Sequence, residues 1–244
     1  MMRHGFGRQA VAAALVGALL SAADDTAVAQ PATQAASGNC EPATVTDQLG
    51  VARIAKSAPK VNFVSGVNEN KACPSVSSAC RSKSFLMPGD VVLTGETRSG
   101  FVCATYANAK AVETSGWLPA ASLETVAPQP VTADAWTGTW RRIEAEIKIK
   151  QAGADAVEVD GSATWGSYDP GRVKRGTVRS GSLSGKVTPV NDALFMSDDP
   201  ATSFEAVKEG CAVRMRRIAQ YLLVEDNNNC GGINVSFSGL YVKR

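Results

Sequence analysis

Asp226 to Arg244 reads DNNNCGGINVSFSGLYVKR, and the role of its cysteine decides how the rest of the chain is read. Asp226 and the three asparagines tolerate left-handed backbone geometry, and Gly231 and Gly232 adopt it freely, so the segment begins as a tight or bulged turn. A period-two run follows. Ile233, Val235, Phe237, Gly239 and Tyr241 fall on one face, and Asn234, Ser236 and Ser238 on the other. Cys230 therefore sits at the base of an expected last strand, and Cys211 starts an earlier one. A bridge between them would close a loop worth about 3 kcal/mol in chain entropy. A reactive thiol or a calcium loop is the competing reading of the same stretch. The calcium reading fails because the spaced acidic ligands and distal glutamate are missing.

The N-terminus supports the fastener. Arg3, His4 and Arg8 precede an apolar core, Ala10 to Ala23, and Ala27-Val28-Ala29 is a small-x-small cleavage site. Residues 1–29 read as a signal peptide cleaved near Ala29, which places the mature chain in the periplasm or outside the cell. The apolar core is shorter than the roughly 20 residues a membrane span needs, and no later stretch is long enough. Cys40 lies too far from that core to be a lipid-attachment site. All six cysteines fall in the mature chain, and an even count in an oxidising compartment predicts three disulfides. Cys73 and Cys80 flank six residues and suit a local bridge; that leaves Cys40 with Cys103, the preferred one of three possible pairings. Zinc fails because there is no C-x2-C pair and the single histidine, His4, leaves with the signal peptide.

That missing histidine removes most familiar chemistry. The mature chain has no Ser-His-Asp or Cys-His couple, no histidine metal site and no imidazole for proton transfer. Neither a catalytic residue nor a cofactor or metal is expected. The formal charge of +2 is too small to imply nucleic acid or a polybasic membrane surface. Arg214, Arg216 and Arg217, and Arg172, Lys174, Arg175 and Arg179, form two basic clusters, and near-balance with acidic residues reads both as solvated faces. Glu158, Asp160 and Glu225 are the carboxylates a glycosidase-like site would use, but nothing marks them as paired.

Residues 30–39 read as a flexible tether, 40–126 as a first domain, 127–135 as a proline-containing linker and 136–244 as a second domain. VTDQLGVARIAKSA (Val45 to Ala58) would make a helical turn or two, limited by Gly50 and Pro59. In the rest of the first domain short strands dominate, with a hairpin of Val91 to Gly95 and Phe101 to Tyr106. In the second, Ile147 and Ile149 alternate with lysines, Val157 and Val159 with Glu158 and Asp160, and Val213 and Met215 with arginines. Asp160-Gly161, Asp169-Pro170, Asn191-Asp192 and Asp226 to Asn229 are the turn signals. Roughly seven or eight strands fit a closed antiparallel barrel or a sandwich.

Pro88-Gly89-Asp90 before VVLTG, Gly100-Phe101-Val102, Gly116-Trp117-Leu118-Pro119 and Ser122-Leu123 follow the order of a bacterial SH3-like domain. The resemblance covers most of 40–126 and implies a small, partly open barrel that binds peptides, cell-wall material or partner domains. This chain departs from that family in having Phe101 where many members carry tryptophan, and in its longer cysteine-bearing loop. Gly138-Thr139-Trp140 resembles the G-x-W of lipocalin-type barrels, with Arg244 as the expected basic partner.

The fold class is thus all-β: an SH3-like small barrel followed by a disulfide-linked antiparallel barrel or sandwich. The function expected is that of a non-enzymatic exported binding protein at the cell envelope. Its partner would be cell-wall material or an envelope or extracellular protein. Phe101, Tyr106 and Trp117 would floor a groove in the first domain, and Trp165 and Tyr168 would rim the barrel mouth. The alternatives are an inhibitor of an extracellular hydrolase, such as a lysozyme or a protease, and a carboxylate-dependent hydrolase.

Overall fold

The structure, a computed structural model, describes residues 38–244. The expected signal peptide and residues 30–37 of the tether lie outside the described residues. Gly38 and Asn39, the end of that tether, are held in place: Val67 N–H donates to Gly38 O at 3.2 Å, and Asn68 N–H to Asn39 Oδ1 at 3.0 Å.

Seven strands make the first sheet: β1 (Gly50–Ile54), β2 (Val61–Val64), β3 (Arg81–Leu86), β4 (Val91–Arg98), β5 (Phe101–Ala107), β6 (Glu113–Pro119) and β7 (Leu123–Thr125). They pair antiparallel in the order β3-β2-β6-β5-β4-β1-β7. The helical turns expected across Val45 to Ala58 reduce to single hydrogen-bonded turns at Thr44–Asp47 and Ala55–Ala58. β1 forms there instead, because Ala52 and Ile54 are drawn into the core between β4 and β7. The hairpin is longer than its sequence suggests. β4 continues past Gly95 through a bulge between Thr94 and Thr97, and the turn is only Ser99-Gly100. Both turn residues have positive φ, 49° and 81°, as a two-residue turn matching strand twist requires.

After a four-residue helix, α1 (Ala133–Trp136), eight strands follow: β8 (Gly138–Arg142), β9 (Ala145–Gln151), β10 (Val157–Trp165), β11 (Arg179–Val187), β12 (Ala193–Ser197), β13 (Ala212–Ile218), β14 (Tyr221–Asp226) and β15 (Gly239–Lys243). A short helix, α2 (Pro170–Arg175), joins β10 to β11. Each strand pairs with its neighbour in sequence, except that β11 and β12 do not pair, and β15 returns to β8 through Val242↔Arg141 and Lys243↔Trp140. The result is a nearly closed up-and-down barrel whose gap lies between β11 and β12. Met196 leans into that gap: its Cε lies only 2.7 Å from where a Cβ on Gly185 would be.

Period-two alternation works as the sequence suggests. Ile147, Ile149, Val157, Val159, Val213 and Met215 all point into the barrel and are at most 2% exposed. Each such side chain stabilises the fold by about 1.5–3 kcal/mol relative to exposure. One turn signal and one strand signal mislead. Asp160-Gly161 lies mid-strand in β10, where Leu183 and Phe237 crowd within 3.0 Å of the place a Cβ would take, so only glycine fits. The expected strand from Ile233 shrinks to β15, Gly239–Lys243, and Ile233 is 69% exposed while Val235 and Phe237 stay buried. The reason is that Cys230–Gly232 packs on β11 rather than extending: Gly181 and Gly231 form a bridge, and Gly232 N–H donates to Ser180 O.

The sulfurs pair as Cys40–Cys103, Cys73–Cys80 and Cys211–Cys230, the pairs that spacing favours, and no cysteine is free among the described residues. Three disulfides fit a non-cytoplasmic protein. Among the described residues no helix is long and apolar enough to cross a membrane.

The two sheets share a buried cluster. Val45, Val51, Leu93 and Ala107 meet Ile218, Tyr221, Leu223 and Leu240. Polar contacts pin the seam: Tyr221 Oη donates to Val91 O at 2.6 Å, and Leu240 N–H donates to Glu113 Oε2 at 2.9 Å. Burial pushes the Glu113 carboxyl above its ordinary value of 4.5, against the lowering effects of the Leu240 N–H and the Arg142 charge. The folded state therefore holds this proton more tightly than the unfolded chain. The associated stability is full below pH 4.5 and is lost as pH rises through the raised value. Accordingly, Glu113→Gln raises Tm relative to the parent more at pH 7 than at pH 4. Thermal unfolding of both proteins across that range checks it, and an equal offset at every pH would contradict it.

Candidate functional site

The candidate site is a groove of about 570 Å³ on the first sheet. Its floor and walls come from Pro59 and Val61 at the start of β2, Val76 in the disulfide loop, Phe101 at the start of β5 and Pro119 at the end of β6. Register explains the floor: the antiparallel pairing of β5 with β6 sets Phe101 directly opposite Pro119. Beneath it, Phe101 and Trp117 pack with Val64, Cys73 and Cys80. The Cys73–Cys80 bridge pins the loop that carries Val76, and Cys40–Cys103 ties the incoming chain to β5 beside Phe101.

Lys60 and Arg81 line the groove, and no acidic residue does. Lys60 Nζ lies 4.5 Å from the centre of the Phe85 ring, which is 48% exposed on the edge strand β3. Lys60, Arg81 and Lys83 form no ion pair among the described residues. An apolar floor beside unpaired cations can hold an extended segment that is partly apolar and partly anionic.

Phe101 and Trp117 come together, but Trp117 is 0% exposed and supports the groove from below. Its indole N–H has no hydrogen-bond partner among the described residues. Tyr106 is elsewhere. It packs on the cluster that includes Ile54 and Leu118, and its hydroxyl donates to Asp90 Oδ1 at 3.4 Å. Burial first, and then the Asp90 charge, push its pKa up. Trp165 packs against the barrel core with the Arg172 guanidinium 3.8 Å above its ring, and Tyr168 is 73% exposed. Neither lies near the groove's lining residues. Pro59, Lys60, Val76, Arg81 and Pro119 were not legible as site residues. Only the Pro59-Lys60 pair, a turn residue next to a cation before a strand, hints at them.

Other candidates resolve as structure. Arg214 is clamped between Glu225 and Glu205, and Arg216 bonds Asp192, Val45 O and Asp47 O. Trp140 is fully buried, and its basic neighbours are Arg217, 4.5 Å over the ring, and Lys243, at 5.4 Å. Arg244, the expected partner, instead donates its backbone N–H to Thr139 O. Arg217 also donates to the carbonyls of Ala135, Ala219 and Tyr221, and burial lowers its pKa to about 10, still cationic at neutral pH. Among the described residues no cluster of three or more His, Cys, Asp or Glu side chains could hold a metal ion.

Fold and groove together define an all-β, disulfide-fastened chain with an apolar, cation-rimmed groove. No protein-family model, no curated protein and no solved structure matches it.

Proposed function

We propose that this is an exported, non-enzymatic binding protein that acts at the cell envelope through the groove on its first sheet. The observation that carries the reading is the groove itself, an apolar floor of Phe101, Pro59 and Pro119 with Lys60 and Arg81 beside it. Two disulfides brace its walls, and such preorganisation favours binding. The SH3-like resemblance belongs to this reading, and three features support it: the β4-β5-β6 meander, the 3-10 turn at Ala120–Ser122, and the return of β7 onto β1. The lack of any histidine after His4 supports a role without turnover.

The test is retention of the mature protein on purified peptidoglycan and capture of envelope proteins from extract, with and without added peptidoglycan. Lys60→Glu with Arg81→Glu should weaken retention at least about tenfold, as expected when charges at an interface are reversed. Turnover of glycan or peptide lost on a single carboxylate substitution would overturn the reading. Near-stoichiometric inhibition of a lysozyme or protease would move it to the inhibitor class.

A further inference from the structure

The second basic cluster has a setting that a solvated face does not require. The loop between β10 and β11 is rigidly built. Asp169 Oδ1 accepts from the N–H groups of Gly171 and Arg172, and Arg172 stacks on Trp165. At the far end of α2, Gly176 takes a left-handed conformation, φ 63°, and its N–H bonds back to the helix. Ser167 is tied to Glu144 through its N–H and its hydroxyl. What this scaffold holds outward is apolar: Tyr168 is 73% exposed and Val173 55%.

A second loop packs on the start of β11, where the first loop ends. The Arg179 stem passes over Gly232, 3.3 Å from where a Cβ would sit, and the next residue, Ile233, is 69% exposed. The Cys211–Cys230 disulfide and the Gly181–Gly231 bridge hold that loop against β11. Lys174, Arg175 and Arg179 are exposed and form no ion pair among the described residues. The acids on and against the β10–β11 loop are engaged: Asp169 caps α2 and pairs with Arg172, and Glu144 binds Ser167. Three exposed apolar side chains on braced loops, flanked by three unpaired cations, match an anionic bilayer. Side chains of this kind enter the headgroup boundary while cations meet lipid phosphates.

We infer that this end of the barrel, Tyr168, Val173 and Ile233 with Lys174, Arg175 and Arg179, docks on an anionic lipid surface. The inference is independent of the groove. The experiment is co-sedimentation of the mature protein with vesicles of equal parts phosphatidylglycerol and phosphatidylcholine, and with phosphatidylcholine alone. Binding to the anionic vesicles only is expected, and Lys174→Gln, Arg175→Gln and Arg179→Gln together should weaken it about 100-fold. Tyr168→Ser, Val173→Ser and Ile233→Ser together should weaken it about tenfold or more. Circular dichroism and thermal unfolding verify that both variants stay folded. No binding to anionic vesicles, or equal binding to both kinds, overturns the inference. So does polyphosphate competition together with an unaffected serine variant, which would make the patch a site for soluble polyanions.

Discussion

Trp140→Ala lowers the unfolding free energy by about 3–5 kcal/mol, the range for truncating a large buried aromatic side chain. Trp140 lies where β8 meets both β9 and β15, opposite Ile147 and Lys243. It is 0% exposed, and its Nε1 donates to Trp136 O at 2.8 Å, which fastens α1 to the barrel. Alanine leaves a cavity, an unanswered carbonyl at Trp136, and the Arg217 guanidinium without the ring that covers it. The effect is therefore expected near the upper end of the range. Urea unfolding measures it. Trp140→Phe, which keeps most of the volume but not the N–H, should lose less than half as much. A loss below about 1 kcal/mol for alanine would mean that the barrel closes without this side chain.

Cys40→Ser with Cys103→Ser costs about 4 kcal/mol on loop-closure entropy, the largest expected effect among the three bridges. The Cys40–Cys103 bridge spans 63 residues, against 19 for Cys211–Cys230 and 7 for Cys73–Cys80. It also ties Cys40 against β5 directly across from Trp117, so its loss loosens the layer beneath the groove. Stability and binding should therefore fall together in this variant. In Cys211→Ser with Cys230→Ser, about 3 kcal/mol is expected with groove binding intact. Denaturant unfolding of the three double variants ranks them, and an inverted order would contradict the loop-length account.

Much of this fold could be read from residue order. Alternation at Ile147/Ile149, Val157/Val159 and Val213/Met215 located barrel strands because one face of each is buried and the other wet. Cysteine spacing pointed to the three bridges. The failures have tertiary causes. Asp160-Gly161 carries a turn signature, yet Leu183 and Phe237 need the glycine's empty space inside a strand. Ile233 fits the alternation, yet the disulfide-held loop turns it outward. The seam between the sheets joins Leu93 to Tyr221 and Glu113 to Leu240, pairs too distant in sequence for local patterning to register. Groove residues were hidden for the same reason. Lys60, Arg81, Phe101 and Pro119 stand on four different strands or their edges, and only strand order brings them together.

Backbone amide shifts, followed by NMR while muropeptides or solubilised envelope proteins are titrated into the mature protein, test the central claim most directly. The account predicts shifts gathered at Lys60, Val61, Val76, Arg81 and Phe101, with the barrel strands silent. Shifts confined to the barrel, or no shifts with any envelope component, would contradict it.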